Sequence, residues 1–445
     1  MSDVRRLSVS ALTRVEGQGA LRVRLADGRV EIAEFNIYEP PRFFEQLLRG
    51  RHLREVPDIV ARICGLCPVA YQLTACRALE KALGVDVTPG IRLLRRLLYW
   101  GEWIHSHALH VHLLHAPDFL GFDDGFAMAR EHPGFVERGF RLQAVGRRIL
   151  EVIGGRAVHP VNVAVGGFHR PPSASAIRGL LPDLEWGIAA AGDLVREVSR
   201  FEMPAFRQVA ECVALRADGE YPVDEGRIVS SGGASGKPLD LAADEYPLHF
   251  EERQVPWSTA LQSLRMPAGT PYLTGPQARI NLCGSDLPPI ARRAADSCGI
   301  ELPIRNSFQS IVARSLELLA ACEEAVVIVR AAAADVAPCR VDFTPRAGVG
   351  CHATEAPRGL LYHRYEIDAD GLVSRATIIP PTAQNQAQLE ADLRAFIPTR
   401  GGLDDAEVTR WCERLIRNYD PCISCATHFL EVSIAREPGP AAGRS

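Results

Sequence analysis

Strict alternation of apolar and polar residues marks two segments near the ends of the chain. "GALRVRLADGRVEIAEFNI" alternates on both sides of Asp27-Gly28, and "YHRYEIDADGLVSRATIIP" does so around Asp370-Gly371. Such a period of two with a central Asp-Gly predicts a β-hairpin, because these residues tolerate the positive φ of tight hairpin turns. We therefore expect a small antiparallel strand pair near each end.

Between these segments, apolar residues recur every three or four positions, which predicts amphipathic helices. The pattern is clear in "IRLLRRLLYWGEWIHSHALHVHLLHAPDF", in Ala174–Ser199 and in Ser307–Ala334, and it returns in "LEADLRAFI" and "DDAEVTRWCERLIRNY". The stretch Ser230–Pro247 is rich in Gly and Ser and is expected to be an exposed loop. No internal repeat is visible. We expect one α+β unit, mostly helical with small antiparallel strand pairs, over residues 1–428, and a C-terminal extension over 429–445.

Composition narrows the function classes. The 445 residues are 47% hydrophobic, and the net charge of −4 argues against electrostatic binding to nucleic acid. The first residues contain no apolar signal-peptide core, and the apolar stretches are interrupted by charges, so we expect neither secretion nor direct membrane insertion. These features favour a cytoplasmic protein.

Two Cys-x-x-Cys pairs stand out among the twelve cysteines: Cys64 with Cys67, and Cys422 with Cys425. Two intervening residues let both sulfurs of a pair reach one soft metal ion, and on spacing alone structural zinc is the commoner interpretation, with a thioredoxin-like redox pair second. Zinc ribbons, however, separate their pairs by roughly 15–20 residues. Here 355 positions separate Cys67 from Cys422, so a shared metal would be central to the tertiary structure.

The sequence around the two pairs resembles a known family. "RICGLC" and "DPCISCATH" resemble the signature motifs of the large, catalytic subunit of nickel–iron hydrogenases. "TRVEG", "YLTGPQARINL", "TEAPRGLLYHRYE" and "IIPPTAQNQ" fall in the family's order, so the resemblance covers nearly the whole chain. The details are most similar to the cytoplasmic, NAD(P)-linked, sulfhydrogenase-type branch.

The resemblance implies a metal centre for reversible, heterolytic cleavage of H2. Cys64 and Cys422 would be terminal nickel ligands, while Cys67 and Cys425 would bridge nickel to an iron that carries cyanide and carbon monoxide. Glu16 in "TRVEG" would accept the proton from the terminal thiolate of Cys422. Without the resemblance, a salt bridge from Glu16 to its neighbour Arg14 would be the better interpretation.

Further residues would surround the metals. The guanidinium of Arg358 would lie over the open metal position, oriented by Asp118 and Asp420. Pro357 would line the same pocket, and the Thr382 hydroxyl would donate a hydrogen bond to a cyanide. Taken singly, the charged residues also fit ordinary roles as a loop cap, an Asx turn or a surface ion pair.

A second metal site is implied near the C-terminus. Its ligands would be the side chains of Glu45 and His428 and a backbone carbonyl near Ile378. Oxygen-rich coordination suits magnesium, although a histidine ligand leaves iron open.

The chain departs from the family pattern in two places. Tyr71 stands where a histidine is common, and its hydroxyl can donate the same hydrogen bond to a bridging sulfur, so we expect altered redox or oxygen behaviour with the metals retained. Residues 429–445 follow the last motif histidine, so the sequence is that of a precursor if a maturation protease acts on it.

The motifs also bear on partners. The chain has no Gly-x-Gly-x-x-Gly fingerprint and no spare ferredoxin-like cysteine run. Electrons would pass to an iron–sulfur small subunit, then through ferredoxin-like and flavin subunits to NAD(P), with nickel-insertion proteins needed for assembly. The alternatives are a branch that uses a deazaflavin or ferredoxin, a relative of the quinone-site subunit of NADH dehydrogenase, which lacks the four cysteines, and a structural zinc protein.

Overall fold

Small antiparallel sheets and packed helices alternate along the chain in the computed structural model, which describes residues 4–233, 236–332, 339–400 and 402–427. The strands are β1 (Val4–Val9), β2 (Gly19–Ala26), β3 (Arg29–Ile37), β4 (Val163–Ala164), β5 (Gly167–Phe168), β6 (Val213–Arg216), β7 (Arg227–Ser230), β8 (Asp240–Leu241), β9 (Phe250–Gln254), β10 (Leu261–Arg265), β11 (Gly348–Ala356), β12 (Gly359–Ile367) and β13 (Val373–Ile379). The helices are α1 (Phe44–Leu48), α2 (Val56–Val60), α3 (Pro68–Leu83), α4 (Pro89–Leu109), α5 (Ala116–Leu120), α6 (Gly125–Glu131), α7 (Pro133–Gly154), α8 (Ala174–Arg178), α9 (Leu181–Val198), α10 (Tyr246–His249), α11 (Pro276–Cys283), α12 (Pro289–Ser297), α13 (Ser310–Ala332), α14 (Pro381–Phe396), α15 (Asp405–Asn418) and α16 (Ile423–Ala426). The predicted α+β class is confirmed.

Both predicted hairpins form. β2 pairs with β3 across Asp27-Gly28, where Asp27 adopts a φ of 51°, and β12 pairs with β13 around Asp370-Gly371. Each hairpin gains a third strand, β1 beside β2 and β11 beside β12, so the expected pairs are three-stranded sheets. Alternation identified the hairpins because one face of each sheet is buried.

Helix packing builds the interior. The long helices α4, α7, α9 and α13 pack on one another, and Trp100 and Trp103 of α4 are fully buried among them. The predicted helix over Ala174–Ser199 is divided at Gly179-Leu180, because Pro182 lies in the first turn of α9, where its missing N–H costs nothing. The last part of the predicted helix Ser307–Ala334, residues 333–334, lies outside the described residues.

The expectation of an exposed loop over Ser230–Pro247 is wrong in part. Asp240–Leu241 pairs with β7, and Tyr246 is fully buried against Phe250 and Tyr362. Among the helices that the structure describes, none is both long and apolar enough to cross a membrane.

Candidate metal centre

Four sulfur atoms from the two ends of the chain meet at one point. Cys64 Sγ lies 3.4 Å from Cys422 Sγ, and Cys67 Sγ lies 4.0 Å from Cys425 Sγ. All four sulfurs lie within 4.8 Å of one another, and all four side chains are buried. Within the described parts of the chain this is the one cluster of His, Cys, Asp and Glu with the spacing of a metal site.

Each cysteine pair is held by its own local structure. Cys64 Sγ accepts hydrogen bonds from the backbone N–H groups of Leu66 and Cys67, both at 3.3 Å. Helix α3 then begins at Pro68, and the Glu102 carboxylate of α4 accepts from the N–H groups of its first turn, at 2.6 and 3.0 Å. Sequence reasoning missed Glu102, which fixes the direction of the chain just after the first pair. The second pair begins at the turn that leads from α15 into α16.

The charge balance of this cluster requires cations. Burial raises the pKa of the Cys422 thiol well above its usual range, and the adjacent sulfur of Cys425 raises it further. Burial also raises the pKa of Cys425. Four thiolates within 4.8 Å would repel one another strongly in a buried site unless metal ions neutralised them. Thiolates are soft donors that suit nickel and iron, so the donor set fits the predicted pair of metals.

Glu16 contacts the sulfur that was predicted as its partner. Its Oε2 accepts a hydrogen bond from Cys422 Sγ at 3.1 Å and a second from the N–H of Ser424, also at 3.1 Å. The backbone holds this arrangement, because the N–H of Ile423 donates to the Glu16 carbonyl at 3.0 Å. The alternative ion pair does not form, since Arg14 binds Asp118 at 2.6 Å.

Arg358 lies in the two-residue turn between β11 and β12, directed towards the second cysteine pair. Its Nε donates to the Asp420 carbonyl at 2.8 Å and its Nη2 to Asp420 Oδ1 at 3.1 Å. Burial would lower the pKa of Arg358, but the charges of Asp420 and the nearby cysteine sulfurs hold that pKa above its ordinary value. Asp420 has a φ of 50°, a conformation that costs energy for a residue with a side chain and that fixes where its carboxylate points.

The prediction that Asp118 orients Arg358 is wrong. Asp118 is occupied instead by two other arginines: Arg417 donates to both of its oxygens, at 2.6 and 2.8 Å, and Arg14 donates at 2.6 Å. Asp118 therefore ties the end of α15 to the segment that carries Glu16. Burial opposes its ionisation, but the two arginines lower the pKa of the carboxyl overall.

The two remaining pocket residues lie close to the centre. Thr382, at the start of α14, is buried, and its Oγ1 accepts from the backbone N–H of Cys422 at 3.0 Å, which leaves its own proton available for donation. Pro357 is buried, and its carbonyl accepts a hydrogen bond from Arg279 at 3.0 Å. Arg279 was not recognised as functional from the sequence, although it lies in the motif "YLTGPQARINL".

Two buried donors near the sulfurs have no hydrogen-bond partner among the described residues: Arg358 Nη1 and Tyr71 Oη. Burial raises the pKa of the Tyr71 phenol well above its usual range, and the sulfurs of Cys425 and Cys67 raise it further, so the group stays protonated. A buried donor without an acceptor costs about 1–3 kcal/mol. Thiolates and anionic metal ligands would supply such acceptors, so these orphan donors also fit the predicted centre.

The second predicted metal site is described in part. Glu45 and Ile378 come together, with the Ile378 N–H donating to Glu45 Oε1 at 2.6 Å. His428 lies outside the described residues, so this ligand set stays a prediction. The histidines of α4 and the turn after it serve other purposes: His107 Nε2 lies 3.1 Å from Glu317, and His110 Nε2 lies 3.8 Å from Asp420.

A buried four-thiolate cluster with a carboxylate on one sulfur and a guanidinium beside it defines a redox metalloenzyme. The family model described as "Nickel-dependent hydrogenase" matches residues 42–128. The alpha chain of sulfhydrogenase 2 from Pyrococcus furiosus is 32% identical over 428 residues, covering 96% of this chain and 100% of that protein. The beta chain of the NAD-reducing hydrogenase HoxS from Cupriavidus necator is 28% identical over 472 residues, covering 96% of this chain and 95% of that protein.

The fold agrees with the sequences. The crystal structure of an NAD+-reducing [NiFe]-hydrogenase in the H2-reduced state superposes with a TM-score of 0.86 at 27% identity, covering 95% of this chain and 99% of that one. The chain belongs to the nickel-dependent hydrogenase family, as its motifs indicated. It is an oxidoreductase with a nickel–iron centre that cleaves H2.

Proposed function

We propose that this chain is the H2-cleaving subunit of a cytoplasmic, NAD(P)-linked hydrogenase complex. The observation that carries the proposal is the convergence of four buried sulfurs within 4.8 Å. Cys64 and Cys422 would hold nickel as terminal ligands, and Cys67 and Cys425 would bridge to iron. The metals would supply the open coordination position and the redox change, which a protein side chain cannot provide.

In this proposal the chain's own residues handle the proton. The Cys422 sulfur passes it to Glu16 Oε2, 3.1 Å away, within the reach needed for direct transfer. The N–H of Ser424 donates to the same oxygen and favours its ionised, accepting form. Ser424 Oγ donates to Glu39 at 3.3 Å, and Glu39 is partly exposed, so this second carboxylate is the next acceptor on the way to solvent.

Arg358 and Thr382 would act on charge. A guanidinium is permanently charged and rigid, and in a dry pocket it stabilises negative charge more than it would in water. Asp420 fixes one edge of the Arg358 fork, while the unpartnered Nη1 remains for the centre. Thr382 would donate its hydroxyl proton to a cyanide on iron.

Partner subunits would carry the electrons away. We propose an iron–sulfur small subunit, followed by ferredoxin-like and flavin subunits that reduce NAD(P), together with a maturation protease and nickel-insertion proteins during assembly. The resemblance to an NAD-reducing enzyme, over 96% of this chain and 95% of that one, supports this acceptor. The vhu-type F420-non-reducing hydrogenase of Methanocaldococcus jannaschii, whose matching chain is 30% identical over 408 residues, keeps a different acceptor as the second candidate.

The acceptor test uses the complex purified anaerobically with its native partners. H2-dependent reduction of NAD+, NADP+, a deazaflavin and ferredoxin is compared with that of benzyl viologen, which accepts electrons without a specific partner. We expect NAD+ or NADP+ to be reduced at a rate similar to the dye. Reduction of the deazaflavin or ferredoxin alone would favour the second candidate, and dye reduction without any of the four would contradict both.

A further inference from the structure

Arg358 lies at the tip of a hairpin, which is a mobile place for a group that must be fixed. Ala356 of β11 pairs with Gly359 of β12, so Pro357 and Arg358 form the two-residue turn. The bonds from Arg358 to Asp420 hold only its side chain. The backbone of the turn needs its own support, because catalytic groups lose efficiency when they shift by about 1 Å.

That support comes from Arg279 on α11. We propose that Arg279 is a positioning residue that fixes the hairpin tip and thereby the guanidinium of Arg358. Arg279 Nη1 donates to the Ala356 carbonyl and Nη2 to the Pro357 carbonyl, both at 3.0 Å. These are the two carbonyls that immediately precede Arg358. The catalytic part of this inference rests on the proposed function.

The arrangement uses every donor that a guanidinium has. Besides the two carbonyls, Nε and Nη2 donate to the two oxygens of Glu317 at 2.7 Å each, and Nη1 donates to Glu355 Oε2 at 2.8 Å. Five N–H groups therefore meet five acceptors. A lysine has three donors on a single nitrogen and cannot span the carboxylates and both carbonyls.

The neighbours of Arg279 prevent it from moving. Arg279, Glu317 and Glu355 are fully buried, and the Tyr221 hydroxyl donates to Glu317 Oε1 at 2.7 Å. The ring of Trp103 lies 4.2 Å from the guanidinium carbon. A buried ion pair often adds little net stability compared with apolar residues of the same size. Its value here is the fixed direction of two hydrogen bonds to the turn.

The backbone of α11 touches the same turn. Gly275 and Gly359 both adopt positive φ, 108° and 140°. A Cβ on Gly275 would lie 2.6 Å from the Arg358 carbonyl oxygen, and one on Gly359 would lie 2.8 Å from the Gly275 nitrogen. Thr274 Oγ1 also accepts from the N–H of Leu360 at 2.8 Å. The start of α11 and the hairpin tip therefore form one packed unit, and Arg279 closes it from one helical turn further on.

The test is a double-mutant cycle in the complete complex. Arg279→Lys is made in the native chain and in Arg358→Lys, and a control pair uses Arg95→Lys. Arg95 is equally buried and binds Glu80 through two bonds, at 2.7 and 2.9 Å, and one carbonyl, that of Ala164, but it does not contact the hairpin. Both substitutions therefore weaken a buried arginine–glutamate pair, and only one of them touches the turn.

We expect Arg279→Lys to lower kcat for H2 oxidation by about 10- to 100-fold in the native chain, with KM for H2 and nickel content unchanged. In the Arg358→Lys background the same change should cost less than about 2-fold, because the group that it positions is already altered. Equal losses in both backgrounds, or an equal loss in the control, would overturn the proposal.

Two readouts do not depend on turnover. Amide hydrogen exchange at residues 356–360 should be at least about 10-fold faster in Arg279→Lys and unchanged in the control. The infrared bands of the iron ligands should move towards those of Arg358→Lys. Unchanged exchange at the hairpin tip would overturn the positioning role even if activity were lost. An inactive native complex would contradict the proposed function, yet exchange would still test the positioning.

If Arg279→Lys fails to assemble, Glu317→Gln provides the second variant. It keeps both side chains in place and weakens the hold of α13 on Arg279. Faster exchange at the hairpin tip is expected there too, and native exchange rates would overturn the proposal.

Discussion

Replacing Glu16 by glutamine tests the proposed proton transfer with little change in structure. Glu16 Oε2 receives hydrogen bonds from Cys422 Sγ and from the N–H of Ser424, both at 3.1 Å. The glutamine carbonyl oxygen can accept the same two bonds, so we expect the free energy of unfolding and the metal content to stay close to native. What glutamine cannot do is take a proton, since a carboxamide is not basic at neutral pH.

The size of the effect follows from the role. A positioned proton acceptor contributes about 10²–10⁴-fold to a rate, and each tenfold corresponds to about 1.36 kcal/mol of activation free energy. Glu16→Gln should therefore raise the barrier by about 2.7–5.4 kcal/mol. The assay is H2-dependent reduction of benzyl viologen by the purified complex, with nickel and iron measured in the same sample.

Glu390→Gln provides the matched control. Glu390 is also a carboxylate that accepts two N–H groups, from Phe35 at 3.0 Å and Trp257 at 2.7 Å, and both of these partners are nitrogen donors rather than a thiol. We expect near-native turnover from this variant. Native rates in Glu16→Gln with a full complement of metals would refute the proton-transfer role.

Two further predictions concern other buried groups. Tyr71→Phe removes a hydroxyl that has no partner among the described residues, so we expect the free energy of unfolding to change by less than about 1 kcal/mol and the carbon monoxide band to move to lower wavenumber as a sulfur loses its donor; superimposable spectra would contradict this. Burial lowers the pKa of His112 to about 3 in the folded chain, whereas the unfolded value is about 6.5, so His112 binds a proton on unfolding and stability is lost as pH falls from about 6.5 towards 3. His112→Phe should therefore flatten the fall in Tm between pH 7 and pH 5, and a fall as steep as that of the native complex would count against it.

Local patterns predicted the hairpins and helices because each depends on residues close in sequence. The division between α8 and α9 was also readable, since Pro182 marks the start of a helix. The sheet of β6, β7 and β8 was missed because its strands are only two to four residues long and lie among glycines, so no alternation could build up. Such strands exist through their partners and not through their own pattern.

The site depended on contacts across the chain. The resemblance paired Glu16 with Cys422 although 406 positions separate them, and the structure has that contact. It failed for Asp118, because two arginines, 104 and 299 positions away, converge on this carboxylate and leave no role for it beside Arg358. Competition among several cations for one buried acid is decided by packing, which neither motif order nor spacing records.

The most direct test of the central claim is the metal content of the purified complex together with its infrared spectrum. We expect nickel and iron in equal amounts in the cysteine-bound centre, with bands from cyanide and carbon monoxide, and loss of the metals and the bands in Cys67→Ser. Zinc in place of nickel and iron, or a native complex without metal and without these bands, would contradict the account.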